Sequence, residues 1–260
     1  MEFRPCIDIH NGRVKQIVGG SLKDKGNQAE ENFVSQMDGG FYANMYKEAG
    51  IRGGHIILLN PITSDYYEAT KAQALLALHN YPEGLQIGGG ITADNAAEFI
   101  EAGASHVIVT SYVFNNGRID YNNLEKLVDA VGKKHIVLDL SCRKRDGSYY
   151  IVTDRWQKFT DEAITEALLD ELSLYCDEFL IHAVDVEGKA NGIEKELVSL
   201  LGDWGKIPLT YAGGVHSFED LRLIKELGHD RVNVTIGSAL DLFGGSMKFE
   251  DVIAFCGGFG

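Results

Sequence analysis

The sequence predicts an α/β fold: a single (β/α)8 barrel spanning residues 1–260 and built from two duplicated half-barrels. Three observations carry this. Eight short β-branched runs alternate with amphipathic helical patterns, the second half of the chain echoes the first, and no Pro/Ser-rich or low-complexity linker interrupts the alternation. Eight βα units in 260 residues is the size at which such a barrel closes. A doubly wound open sheet is the alternative, and the internal repeat argues against it.

The strand candidates are Arg4–Ile9, His55–Leu59, Leu85–Ile87, His106–Val109, His135–Leu140, Glu178–Val184, Pro208–Ala212 and Arg231–Ile236. Runs such as His135-Ile136-Val137-Leu138 are continuously apolar, as suits parallel strands covered by helices. Helical periodicity falls near 41–49, 67–79, 93–102, 121–132, 161–175, 193–203, 217–227 and 247–255. Ser217-Phe218-Glu219-Asp220 has the form of a capping box, and Gly103 and Gly228 stand where glycines end helices. A strand extension at Val14–Val18 precedes a long polar loop, Ser21–Gly40. With Gly19-Gly20 and Gly39-Gly40 as hinges, that loop is expected to act as a lid.

Composition narrows the function. Glycine is abundant, 30 of 260 residues against a usual share of about 7%, so backbone is repeatedly brought close to something. A net charge of −14 leaves no broad basic footprint for nucleic acid or an anionic membrane, and any anionic ligand must be held locally. No apolar run reaches the roughly 18–20 residues of a membrane span, and Met1-Glu2-Phe3-Arg4-Pro5 lacks the form of a signal peptide. Cys6, Cys142, Cys176 and Cys256 form no CxxC, which points to reduced thiols and a cytoplasmic location. The histidines offer no helical pair for zinc, and no metal is expected.

The repeat locates the chemistry. Gly88-Gly89-Gly90-Ile91, a helix, then Val109-Thr110-Ser111 match Ala212-Gly213-Gly214-Val215, a helix, then Ile236-Gly237-Ser238. Asp8, ending the first strand of its half, matches Asp139, ending the first strand of the other. A glycine pair after a strand leaves backbone N–H groups and the next helix N-terminus open to an anion, and a following Ser adds a hydroxyl donor. One Gly-Gly pair is equally a tight turn; two such pairs, each with its own Ser, suggest a ligand with two phosphates. Gly89, Gly90, Thr110, Ser111, Gly213, Gly214, Gly237 and Ser238 are therefore the candidate phosphate-binding residues. A strand-end Asp is in isolation a structural acceptor as readily as a catalyst. Two of them at the C-terminal mouth of a barrel suit acid–base work on a substrate between them. The basic run Arg143-Lys144-Arg145 is either a counter-charge for those phosphates or a solvated loop.

At these residues the sequence resembles the phosphoribosylformimino aminoimidazole carboxamide ribotide isomerases of histidine biosynthesis. The likeness covers essentially the whole chain, through Arg4-Pro5-Cys6-Ile7-Asp8-Ile9-His10-Asn11-Gly12-Arg13-Val14, Gly88-Gly89-Gly90-Ile91, Leu138-Asp139, Ala212-Gly213-Gly214-Val215 and Ile236-Gly237-Ser238. The resemblance implies a cofactor-free Amadori rearrangement of an aminoaldose to an aminoketose, on a ribotide phosphorylated at both ends. It implies Asp8 as general base, Asp139 as general acid and Trp156 as a platform stacking on the ligand. The sequence departs from the bacterial pattern in three places: Thr92 stands where an arginine follows Gly-Gly-Gly-Ile, Leu58 and Asn60 replace aspartates, and Ala183 replaces a threonine after His182. These departures fit the eukaryotic-type branch, with Asp185 taking up part of the threonine's role. The expected partner is the small-molecule substrate alone, bound to a monomer, with no nucleic acid or membrane. Two other readings stay open: the sister cyclase subunit of imidazole glycerol phosphate synthase, and a non-catalytic phosphosugar-binding barrel.

Overall fold

The computed structural model describes residues 1–17, 31–154, 156–187 and 192–257. Its parallel strands are β1 (Cys6–His10), β2 (Gly54–Leu58), β3 (Leu85–Gly88), β4 (Val107–Val109), β5 (Ile136–Asp139), β6 (Glu178–His182), β7 (Leu209–Ala212) and β8 (Val232–Thr235). Each pairs in parallel with the next. The ring closes through residues before β1. Phe3 bridges Val234, Arg4 N donates to Val234 O at 2.8 Å, and Val234 N donates to Glu2 O at 2.9 Å. Outside lie α1 (Gly39–Glu48), α2 (Tyr67–Asn80), α3 (Ala96–Glu101), α4 (Tyr121–Val131), α5 (Glu166–Leu172), α6 (Lys195–Trp204), α7 (Phe218–Leu227) and α8 (Phe249–Cys256). This is the (β/α)8 barrel that the alternation predicts, each strand within a residue or two of its expected bounds.

Strand parity sorts the side chains into two cores. Ile7, Ile9, Ile56, Leu58, Ile136, Leu138, Phe179 and Ile181 pack outward under the helices. The alternate residues point inward, where Ile108, Val137 and Leu180 cluster with Ile57. The same parity puts Cys6, Asp8, His55, Asp139 and His182 inside the barrel. Glu178 fills the floor: it accepts from Gln86 Nε2 (3.0 Å) and Thr210 Oγ1 (2.7 Å) and pairs with Arg4. A carboxylate so deep is tolerated because its oxygens are bonded and its charge is met.

Several details differ from expectation. The segment expected as one helix over 161–175 is divided. Lys158–Ala163 is a strand, and α5 begins only at Glu166, where Thr165 accepts from Leu168 N at 3.2 Å. That strand belongs to a three-stranded antiparallel sheet with Cys142–Arg145 and Ser148–Thr153, inserted between β5 and α5. Gly39-Gly40 is no hinge: both residues lie in the first turn of α1, capped by Asp38, which accepts from Phe41 N at 2.8 Å. A Cβ on Gly39 would stand 2.6 Å from Gln73 O, so small residues there let α1 pack on α2. Gly228 caps α7 with φ −84°, and the left-handed turn falls instead to His229 and Asp230. Its lack of a side chain serves packing: a Cβ on the neighbouring Gly202 would lie 2.5 Å from Gly228 Cα. The capping box at Ser217 and Asp220 forms, and Gly103 follows α3 with φ 108°.

The extension of β1 is a strand, Arg13–Ile17, antiparallel to β1 and paired on its other side with Glu31–Val34. Residues 21–30 of the expected lid, and with them the hinge Gly19-Gly20, lie outside the described residues. No described helix is long and apolar enough to cross a membrane.

Candidate active site

The C-terminal ends of the strands surround a cavity of about 590 Å³. Of the residues singled out from sequence, Asp8, Gly89, Gly90, Thr110, Ser111, Asp139, Trp156, Gly213, Gly214, Gly237 and Ser238 line it, while Asp185 and the basic run Arg143-Lys144-Arg145 do not. Asp185 sits to one side, accepting from Arg143 Nε (2.8 Å) and Lys144 N (2.9 Å). The basic run is spent in the same way. Lys144 Nζ pairs with Glu196 at 2.6 Å, and Arg145 stacks over Tyr150 and Phe159 at 4.3 and 4.6 Å. Among the described lining residues there is no lysine or arginine.

The two glycine cradles repeat each other in conformation. Gly89 and Gly90 have φ 102° and 71°; Gly213 and Gly214 have φ 123° and 74°. A Cβ on Gly89 would meet Leu58 O at 2.1 Å, and one on Gly213 would meet Ala183 O at 2.8 Å, each carbonyl lying at the end of the neighbouring strand. Gly214 is also closed off, since a Cβ there would stand 2.0 Å from Gly192 O, whereas Gly90 faces open space. Glycine is thus required at the first position by both φ and close approach.

Asp8 lies midway along β1 and Asp139 ends β5, strands four apart either way round the ring, and the two face the cavity from opposite sides. Their surroundings drive them apart. Burial pushes the Asp8 carboxyl up to about 7, the nearby Glu187 adding to the rise; the charge of His182 and then a bond from Gln16 Nε2 to Oδ2 (3.3 Å) oppose it. Burial pushes Asp139 up as well, yet His182 and two bonds from Ser141, N at 2.9 Å and Oγ at 2.7 Å, outweigh it and hold Asp139 below the usual carboxylate range. Thr110 Oγ1 adds a donor at 3.3 Å.

His182 is the cation of the site. Burial pulls its imidazole down, but Asp139, Glu187 and Asp8 carry it up to about 9. His55, 3% exposed, goes the other way: burial and the neighbouring His182 pull it down to about 3, leaving it neutral. Trp156 closes one wall. Its ring centre lies 5.8 Å from that of His182 with the planes inclined at 41°, and its Nε1 donates to Ser141 Oγ at 3.0 Å. Trp156 holds φ 67° and Asp154 φ 51°, costly values for side-chain-bearing residues that the hairpin tip imposes.

The structure adds Cys6, Gln16, His55, His182 and Glu187 to the cavity. A signal for three of them exists in the sequence. Cys6, His55 and His182 share inward parity with Asp8, Ile57 and Leu180 on otherwise apolar strands, where a polar side chain needs a reason. Gln16, on the strand Arg13–Ile17 outside the barrel ring, and Glu187, in the segment after β6, carry no such pattern.

Fold and cavity define a (β/α)8-barrel protein whose ionisable residues gather at the C-terminal mouth. Within that class the chain belongs to the histidine biosynthesis protein family, which matches residues 2–247. It is 54% identical over 259 residues to the chloroplastic 1-(5-phosphoribosyl)-5-((5-phosphoribosylamino)methylideneamino)imidazole-4-carboxamide isomerase of Medicago truncatula, covering 98% of this chain and 81% of that one. The isomerase of the same name from Yarrowia lipolytica is 47% identical over 97% of this chain and 96% of its own. That from Saccharomyces cerevisiae is 45% identical over 96% of each.

Proposed function

We infer that the chain is an aldose–ketose isomerase of histidine biosynthesis. It catalyses the Amadori rearrangement of N′-(5′-phosphoribosyl)formimino-aminoimidazole carboxamide ribotide from aminoaldose to aminoketose. Full-length similarity to plant and fungal isomerases supports this, and one observation of the site carries the chemistry: two carboxylates of opposed ionisation face one cavity from opposite strands.

The reaction needs a proton delivered to the ribose ring oxygen, which breaks the C1–O bond and leaves a Schiff base. The C2 proton then leaves, the electron pair forming an enolamine that tautomerises to the ketose. In this reading Asp8 takes the C2 proton; a carboxylate that titrates near 7 is a stronger base than a free aspartate and is still half ionised at neutral pH. Asp139 delivers the other proton as a unit with His182, whose imidazolium supplies what the ionised Asp139 lacks. The two glycine cradles, with Ser111 and Ser238, hold the phosphates by backbone N–H and hydroxyl donors, and Trp156 stacks on the imidazole. The reading includes a cytosolic monomer; the charge of −14 favours the absence of nucleic-acid and anionic-membrane partners.

The test is turnover of the aminoaldose by the purified protein, followed spectroscopically. Ketose formation without ammonia or a glutaminase establishes the isomerase. Turnover only of the ketose, and only with ammonia, makes the chain the cyclase; binding without turnover makes it a phosphosugar-binding barrel.

A further inference from the structure

The neighbouring strands β1 and β2 bring together, in their first halves, three donors of different chemistry. Cys6 Sγ, an Asp8 carboxylate oxygen and a ring nitrogen of His55 lie within 4.8 Å of one another, and all three residues line the cavity. Thiolate, carboxylate and neutral imidazole are together the donor set of zinc-class cations. A second feature points to a ligand here. His55 is 3% exposed, and among the described residues its ring makes no hydrogen bond; its neighbour is the edge of His182, ring centres 6.4 Å apart. Gln16 Nε2 reaches both Cys6 Sγ (3.5 Å) and Asp8 Oδ2 (3.3 Å), the orienting position that an outer partner takes in metal sites.

We propose that Cys6, Asp8 and His55 form an inhibitory site for a zinc-class divalent cation, with the fourth coordination position open to the cavity. Donors about 2.0–2.3 Å from a tetrahedral ion stand roughly 3.3–3.8 Å apart, so side-chain rotation of the order of an ångström closes the triad. As the metal–sulfur bond forms, the Cys6 proton passes to solvent, and no electron changes hands. The ion removes the Asp8 carboxylate from the reaction and blocks substrate at the same place. The inhibition rests on the reading of Asp8 as the base; the binding does not.

The probe is Co²⁺ titrated into chelator-treated, full-length protein, read by absorption. One equivalent should give the visible bands of a four-coordinate ion and a sulfur-to-cobalt charge-transfer band. Cys6→Ser should abolish the sulfur band, while Cys256→Ser, at the partly exposed thiol of α8, should keep it. His55→Gln should weaken Co²⁺ and Zn²⁺ binding at least about tenfold. Zn²⁺ should inhibit isomerisation competitively with substrate, reversibly by chelator, and His55→Gln should need at least about tenfold more Zn²⁺ for the same inhibition. No sulfur band in the wild type, or a band that survives Cys6→Ser, overturns the site. If Cys6→Ser fails to fold by circular dichroism, unchanged cobalt affinity in His55→Gln overturns it alone. Cobalt bound at Cys6 with full activity overturns the inhibition, and the separate loss or retention of activity in Asp8→Asn then tells whether the reading of the base has failed too.

Discussion

Asp139 Oδ1 and His182 Nδ1 lie 3.4 Å apart on adjacent strands, and each displaces the ionisation of the other. The pair is Asp⁻ with HisH⁺ across neutral pH. It breaks on the acid side when Asp139 is protonated, below the ordinary carboxylate range, and on the alkaline side when His182 loses its proton near 9. A lone buried carboxyl would have been held neutral by its surroundings; here the second strand supplies the charge that keeps it ionised.

The rate profile follows from this. Measured with a chelator present, kcat/KM should rise with pH as Asp8 ionises near 7 and fall as His182 deprotonates near 9, giving a bell. His182→Gln should remove the alkaline limb and move the acid one to higher pH, because the imidazolium helps to hold Asp8 down. A profile flat from about 6 to 8 in the wild type would take Asp8 out of the mechanism.

Substituting the carboxylates separates chemistry from binding. Asp8→Asn and Asp139→Asn should each lower kcat by about 10²- to 10⁴-fold while substrate affinity changes little. Isothermal calorimetry with a non-reacting ligand checks the second half. Near wild-type turnover in either variant removes that residue from the reaction.

Asp8 should also weaken the fold it serves. Its folded pKa is raised from 3.8 to about 7, so the protonated form is the stabilising one, and that stability is present below about 4 and lost as pH rises through 7. The shift is worth at most about 4 kcal/mol, and water reaching Asp8 through the cavity reduces it to about 1–2 kcal/mol. Asp8→Asn should therefore raise Tm at about pH 8 and change it little at about pH 4.5, as differential scanning calorimetry reads directly. An equal shift at both pH values would mean that packing, not charge, is responsible.

The barrel was legible because parallel strands buried on both faces leave continuous apolar runs, and because the half-barrel repeat marks Asp8 with Asp139 and Gly89 with Gly213. The hairpin sheet at 142–163 was less so, although its turn is written plainly. Asp146-Gly147 takes φ 51° and 82°, the same left-handed pair as Asn11-Gly12 and Asn116-Gly117, and each of the three closes a two-stranded antiparallel hairpin. Helical spacing over 161–175 hid it, because the expected helix took in the last three residues of the strand Lys158–Ala163. The partners of the two carboxylates were less legible: Ser141 bonds Asp139 locally from two residues on, whereas His182, Gln16 and Glu187 come to Asp139 and Asp8 only through the fold, and inward parity marks His182 without saying which carboxylate it meets.

The two cradles should each hold one phosphate. Replacing their first glycines is a poor probe, because a Cβ at Gly89 or Gly213 strikes a strand-end carbonyl and perturbs the loop before any ligand arrives. Ser111 and Ser238 are better: both face the cavity, and serine to aspartate adds one charge and little bulk. Ser111→Asp should weaken binding of fragments that carry the phosphate of one end, and Ser238→Asp those that carry the other, each raising KM at least about tenfold through repulsion of like charges in a site with no described lysine or arginine. The fold should be untouched, with Tm within a few degrees of the wild type. Calorimetry with the two singly phosphorylated halves of the substrate distinguishes the ends. If both variants lose the same half and keep the other, the repeat supplies one phosphate site and the second glycine pair is only a turn.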